Sequence, residues 1–263
     1  MTAITLRAPA RRPAVSGLVP VVAAFVVAVV AWKAIVVIGG YPPFILPAPE
    51  TVATRFVKAW TDGTIAPHFV ATATEVALGF AVGAGLALVA GYGLARSTFV
   101  ERVVSPYLVA AQATPILALA PLLALWFGAG LLSKVVICSL IVFFPVAVAT
   151  MVGVRAVDAG LLELARSLRA TRLQVLTTLE IPGALPSILG GMRVGVTLAV
   201  VGAIVGEWAG AERGLGVLIN VARGSLFDIP LMFATLITVA LFGVALYLVV
   251  VIAERRLLGA RQP

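Results

Sequence analysis

The chain has 263 residues, of which 62% are apolar (AVILMFWYC) and 11% charged, with a mean hydropathy of +1.14. Soluble domains carry about 25% charged and about 45–50% apolar residues, so the soluble, disordered, fibrous and disulfide-rich secreted classes are excluded and an all-α integral membrane protein is left. The net charge of +8 rests on arginines set between apolar runs and on only three lysines, Lys33, Lys58 and Lys134. With no basic helix face and no aromatic stacking platform, it reads as membrane topology and not as nucleic-acid binding.

A spanning helix needs about 20 mostly apolar residues. Six runs meet this, at 18–38, 69–94, 103–127, 131–154, 188–208 and 231–253. They divide the chain into an N-terminal tail (1–17), a membrane domain (18–253) and a C-terminal tail (254–263). The first run is longer than the apolar core of a signal peptide, about 7–15 residues, and is read as a retained span. With the N-terminus inside, Arg7, Arg11, Arg12, Arg96, Arg102, Arg155, Arg166, Arg169, Arg172, Arg255, Arg256 and Arg261 fall on the cytoplasmic side. Arg55, Lys58, Lys134, Arg213 and Arg223 fall outside, and an even number of spans places both termini inside.

In chain order, Lys33 lies toward the outer end of the first span and is expected to snorkel. The proline-rich segment 41–49 precedes an amphipathic stretch, 50–60, open to two readings: a helix along the outer surface, or a plain linker. His68 stands at the outer mouth of the second span and is read as a lone exposed histidine. Glu75, just inside that span, is a candidate for the solute path. The small-residue run 79–85 is read as close helix packing. The only cysteine, Cys138, reads as a buried hydrophobe. Arg193 is expected to snorkel inward and Glu207-Trp208 to form an interfacial anchor. One cysteine and one histidine leave no disulfide, no metal cluster and no catalytic constellation, so no cofactor is expected.

The loop 155–187 is longer than a connection between adjacent helices needs. Leu161, Leu164, Ala165 and Leu168 recur at helical spacing, and Leu173, Leu176 and Leu179 form a second run ended by Pro182, with Pro186 ahead of the fifth span. Two short helices are therefore expected. Isolated helices of two or three turns are marginal in water, so they need a surface to pack on: the protein's own helix ends, the lipid headgroups, or a partner's groove.

The segment Glu163-Leu-Ala-Arg-Ser-Leu-Arg-Ala-Thr-Arg-Leu-Gln-Val-Leu-Thr-Thr-Leu-Glu-Ile-Pro-Gly-Ala-Leu-Pro186 resembles the EAA signature of ABC importer permeases. In that pattern Glu-Ala-Ala is followed by three residues, a glycine, nine residues and Ile-x-Leu-Pro. Glu163, Leu164 and Ala165 match the triplet and Leu179-Glu-Ile-Pro182 the close, but Arg169 stands where the family has glycine. Glycine there would permit a positive φ between the short helices; arginine implies another turn or a smoother path. Ile45-Leu-Pro-Ala-Pro-Glu50, the run 114–128, Gly214-Leu-Gly216 and Glu254-Arg-Arg256 are similar to the branch serving nitrate, sulfonate, taurine and vitamin-precursor importers.

The resemblance implies a permease of the bacterial inner membrane that forms the solute path. ATP would be hydrolysed by two copies of a separate subunit; none of the three lysines follows a glycine, so this chain has no P-loop. Further implied partners are an extracytoplasmic binding protein, membrane lipid and a second permease copy, since six spans are few to enclose a path. Glu163 would be the charged contact to the ATPase, and Leu164, Ala165 and Leu168 its apolar surface. Arg166, Arg169 and Arg172 would lie at the rim, within the segment that continues through Ala170 to Pro182. Glu75, Trp126 and Trp208 are the expected path residues. Few charged groups in the spans favour a planar, neutral solute such as riboflavin or a pyrimidine vitamin precursor over a sulfonate, taurine or nitrate. A secondary transporter or channel is the rival class, but no internal repeat, filter loop or charge ring is visible.

Overall fold

The structure, a computed structural model, describes residues 15–259. These form α1 (Val15–Gly39), α2 (Pro49–Thr61), α3 (Ala66–Arg96), α4 (Thr98–Ala113), α5 (Ile116–Phe127), α6 (Leu131–Arg155), α7 (Ala159–Ser167), α8 (Arg172–Val175), α9 (Ile181–Trp208), α10 (Leu215–Arg223) and α11 (Ile229–Gly259). A π-helical turn, Leu176–Glu180, joins α8 to α9. Arg7, Arg11, Arg12 and Arg261 lie outside the described residues.

Among the described residues, five helical stretches are long and apolar enough to cross a membrane: α1, α3, α6, the run Arg172–Trp208, and α11. The expected third span, 103–127, is not one helix. Thr114 takes φ −73° and ψ 124° ahead of Pro115, so α4 ends and α5 restarts. A residue before proline is pushed out of the helical region by the ring. With 12 residues, α5 is about 18 Å long, short of a hydrocarbon core of about 30 Å.

The helix that carries the fifth span starts earlier than the sequence suggests. Pro182 does not stop a short helix, and Pro186 does not mark a boundary; α8, the π turn and α9 form one run of 37 residues. Proline lacks an N–H, and the π turn takes up the mismatch, with the Ile181 N–H reaching back five residues to the Leu176 carbonyl. At the other extreme, α11 continues to Gly259, through residues 254–259 that hydropathy assigns to a tail.

α6 packs between α3 and α9. Gly79, Gly83, Ala87 and Gly91 recur every fourth residue on α3, which puts them on one face. A Cβ at Gly79 would lie 2.2 Å from that of Cys138, at Gly83 2.6 Å from the Ser139 carbonyl, and at Gly91 2.5 Å from the Ala147 carbonyl. Where lipid removes any hydrophobic drive between helices, such small faces let backbones approach closely. Ser139 Oγ crosses the contact to the Gly79 carbonyl at 3.1 Å. Gly85 faces open space, so only part of the small-residue run is packing surface. Cys138 is buried, as expected of a small hydrophobe.

The stretch 50–60 is a helix. Pro49 opens α2 at a first-turn position where its missing N–H costs no bond. Val52 and Ala59 are buried, and α2 packs on α11. Arg55 donates from Nε to Asp228 Oδ2 at 2.8 Å, and Asp228 Oδ1 caps α11 through the Leu231 N–H at 2.9 Å. Lys33 does not merely snorkel: it pairs with Glu50, and this bond holds the Glu50 carboxyl below the usual carboxylate range. Asp62, at the end of α2, is likewise held low by the hydroxyl and N–H of Thr64. Trp32 stacks on Phe233, centroids 5.7 Å apart, and fastens α1 to α11.

Candidate functional site

Polar side chains gather at the two ends of the bundle. At the α7 end, Arg96 Nη1 meets Glu180 Oε1 at 3.1 Å, and Tyr92 donates its hydroxyl to Glu180 Oε2 at 3.0 Å. Arg155 pairs with Glu101 at 2.5 Å and donates to the Leu94 carbonyl at 3.0 Å, capping the C-terminus of α3. Arg193 pairs with Glu254 at 3.3 Å. These bonds tie the ends of α3 and α11 to the first half of the long helix, and the end of α6 to α3 and α4.

The loop 155–187 projects from that end as two helices, the second continuous with α9. Asp158 caps α7 by accepting the Leu161 N–H at 3.1 Å. Thr171 and Gln174 form a reciprocal capping box that starts α8. Between them, Arg169 takes φ +54°. Its N–H reaches the Arg166 carbonyl at 2.9 Å, and the Ala170 N–H reaches the Ala165 carbonyl at 2.9 Å. This paired pattern is the Schellman motif, which usually carries glycine at the left-handed position. The turn that glycine would make is therefore made by Arg169.

The turn decides what α7 presents. Leu161, Leu164 and Leu168 are exposed, Leu168 at 74%, and Glu163 and Arg166 are exposed beside them. Ala165, expected to bury against a partner, is only 9% exposed and lies on the inner side of the turn. An apolar cleft of about 290 Å³ opens between α7 and α8, lined by Leu161, Leu164, Leu168, Val175 and Leu179. Ala170 and Pro182 are half-buried.

At the opposite end the center is Glu207. Its Oε1 accepts the Thr72 hydroxyl at 2.5 Å, and its Oε2 the Gly216 N–H at 2.5 Å, at the N-terminus of α10. Helix N-termini favour anions because their free N–H groups and dipole point outward. Thr72 Oγ1 in turn accepts the Leu215 N–H at 2.8 Å, and His68 Nδ1 lies 2.8 Å from the Gly214 carbonyl. Trp208 donates its indole N–H to the Gly216 carbonyl at 3.0 Å. Gly214 has φ +143°, and a Cβ there would fall 2.2 Å from the Glu207 carboxyl carbon. Gly214-Leu-Gly216 is thus the seat of a buried carboxylate.

Beside this knot lie Glu75 and Lys134, 5% and 1% exposed. Lys134 donates to the Ala129 carbonyl and, at 3.3 Å, to the Gly210 carbonyl. Glu75 Oε2 is buried with no hydrogen-bond partner among the described residues. Both line a cavity of about 570 Å³ that also meets Thr74, Glu212 and Arg213. Of the expected path residues, Glu75 lines this cavity and Trp126 and Trp208 do not. Trp126 is exposed on α5, while Trp208 holds the Gly216 loop.

The model of the binding-protein-dependent transport system inner membrane component family matches residues 79–259. The chain belongs to this family. The riboflavin transport system permease protein RibX of Chloroflexus aurantiacus is 45% identical to the permease over 86% of this chain and 84% of its own. The formylaminopyrimidine transport permease protein ThiX of Halalkalibacterium halodurans is 37% identical over 77% and 80%. The putative aliphatic sulfonates transport permease protein SsuC of Bacillus subtilis is 35% identical over 88% and 83%. Among solved structures, the MetNI methionine ABC transporter in an inward-facing form superposes with a TM-score of 0.64 at 18% identity, over 71% of the permease and 93% of that chain, a likeness of fold. The permease is an ABC importer component and a multi-pass protein of the bacterial plasma membrane, in a family whose ATP hydrolysis belongs to a separate subunit.

Sequence reasoning missed several residues. Lys134 reads as an outer-loop charge and Glu207 as a surface anchor, because both lie at span edges; the fold buries them. Thr171-Arg-Leu-Gln174 does carry a visible capping-box pattern. Nothing local marks Thr72, whose partners are Leu215 and Glu207.

Proposed function

We propose that two copies of the permease enclose the path of an ATP-driven importer, taking a small solute from an extracytoplasmic binding protein. Each copy crosses the membrane six times, with α4 and α5 together as one crossing and both termini cytoplasmic. The membrane domain spans 18–253, flanked by tails 1–17 and 254–263, and the loop 155–187 docks on the ATP-binding subunit, one such subunit per copy. The observation that carries this reading is α7 itself: a nine-residue helix, marginal alone, held by its caps, with three exposed leucines that line an open apolar cleft. A helix laid into a partner's groove buries such a face. Glu163 is the charged contact, Leu164 and Leu168 the apolar one, with Arg166, Arg169 and Arg172 at the rim and Ala165, Ala170 and Pro182 shaping the hairpin.

The solute we favour is riboflavin or a pyrimidine vitamin precursor, supported by the riboflavin and formylaminopyrimidine permeases among its relatives. The Bacillus relative keeps an aliphatic sulfonate as the second reading. Glu163→Lys is expected to abolish uptake and co-purification of the ATP-binding subunit while the permease still inserts in the membrane. Uptake at the wild-type rate by that variant overturns the docking role.

A further inference from the structure

The cavity beside Glu207 is built, not incidental. Its volume of about 570 Å³ falls within the range of small-molecule sites, about 300–1,000 Å³. Ala71, Ala129, Gly130, Leu131 and Ala211 form the apolar part of its wall, and Thr74, Glu75, Lys134, Glu212 and Arg213 the polar part that can set orientation. Two of these are buried with unused hydrogen-bonding capacity. An ammonium has three donors, and Lys134 gives two of them to the Ala129 and Gly210 carbonyls. One remains. Glu75 Oε2 has no hydrogen-bond partner among the described residues, and an unmet buried carboxylate oxygen is costly. The neighbouring Glu207 does not meet this need as a carboxylate, because its oxygens are acceptors already engaged by Thr72 and Gly216. The cavity lining therefore holds one acceptor and one donor left without partners.

Charge narrows the ligand class. Glu75 and Glu212 on the lining are balanced by Lys134 and Arg213. With two charges of each sign, the lining gives a sulfonate or nitrate anion no net attraction. An uncharged ring with an amide or imide edge needs none: its N–H satisfies Glu75, and its adjacent carbonyl takes the remaining Lys134 proton.

We infer that Glu75 and Lys134 form a solute-orienting subsite at the end of the bundle opposite α7, selective for a neutral heterocycle presenting adjoining N–H and C=O groups. This rests on the reading of the chain as an importer permease and specifies the solute class of that path. Glu75 touches the solute, and Glu207 with Gly214 and Gly216 fixes the wall behind it.

The test uses the complete importer, with its ATP-binding subunit and binding protein, in proteoliposomes supplied with labelled riboflavin or labelled taurine. Glu75→Leu keeps the volume and removes the acceptor; Glu75→Gln keeps an acceptor oxygen. The expected result is an apparent KM for riboflavin raised about tenfold in the leucine variant and held within about threefold of wild type in the glutamine variant, as fits loss and retention of one strong hydrogen bond. Equal KM values in the two variants overturn the subsite. So does a change confined to the pH profile, which assigns Glu75 to a proton shared with Glu207, or loss of ATP-binding-subunit co-purification in both, which assigns it to folding. Uptake of taurine but not riboflavin by the wild type overturns the solute class. Absence of uptake of either probe by the wild type counts against the importer reading itself, and is distinct from an unmoved KM in a transporting wild type.

Discussion

Arg169 shows how a single residue can hold a family's turn against its own preference. An L-residue in the left-handed region places its Cβ close to the following carbonyl, at a cost of about 1–2 kcal/mol. The two Schellman bonds and the Thr171 cap hold it there. Arg169→Gly is expected to relieve the strain and raise stability by about 1 kcal/mol, partly offset by the greater backbone freedom of glycine in the unfolded chain. Thermal unfolding in detergent measures this, with Arg169→Ala, which keeps the strain, showing no gain. A smoother helical path at this position would give the reverse order. The sequence showed that a glycine was missing; it did not show that the turn survives, because φ is set by the caps on both sides and by Ala165 packing inward.

At the scale of elements, the contact between α3 and α6 depends on glycines that have no room for a side chain. Gly83→Val would drive its Cβ into the Ser139 backbone, which cannot move without opening the pair. Overpacking of this kind typically costs about 1–3 kcal/mol. Gly85→Val, two residues away and facing open space, is expected to lie within about 0.5 kcal/mol of wild type. Unfolding in detergent compares the pair directly, and equal losses would contradict the assigned face. The four-residue spacing is legible in the sequence, but the face it marks is not, since Gly79 and Gly85 stand in the same run. The prolines teach the converse lesson. Pro115 breaks a span that hydropathy draws as continuous, whereas Pro182 and Pro186 lie inside a helix that hydropathy draws as broken. Proline removes one N–H in every case; the π turn before Pro182 absorbs that loss, and the extended Thr114 before Pro115 does not.

For the whole molecule, the two polar ends give the proposed sidedness a direct test. The only cysteine, Cys138, is fully buried and adds no labelling background. Ser167→Cys on α7 and Thr64→Cys ahead of α3 lie on opposite ends of the bundle. A membrane-impermeant maleimide added to intact cells with a permeable outer layer is expected to label the cysteine at 64 and spare that at 167, and inverted vesicles to show the opposite. Labelling of position 167 from outside would reverse the orientation and remove the ATPase docking role.

Composition and hydropathy alone determined that this chain lives in a membrane, and the spacing of Glu163 through Pro182 pointed to its kinship, because burial in lipid and a short patterned hairpin both leave marks on neighbouring residues. Only the tertiary structure decided that Glu207 is a buried knot and not a surface anchor, that Lys134 and Glu75 face one cavity, and that α5 stands apart from α4. These depend on groups that meet across α3, α6, α9 and α10, and residues from 72 to 216 have no local pattern that records such a meeting.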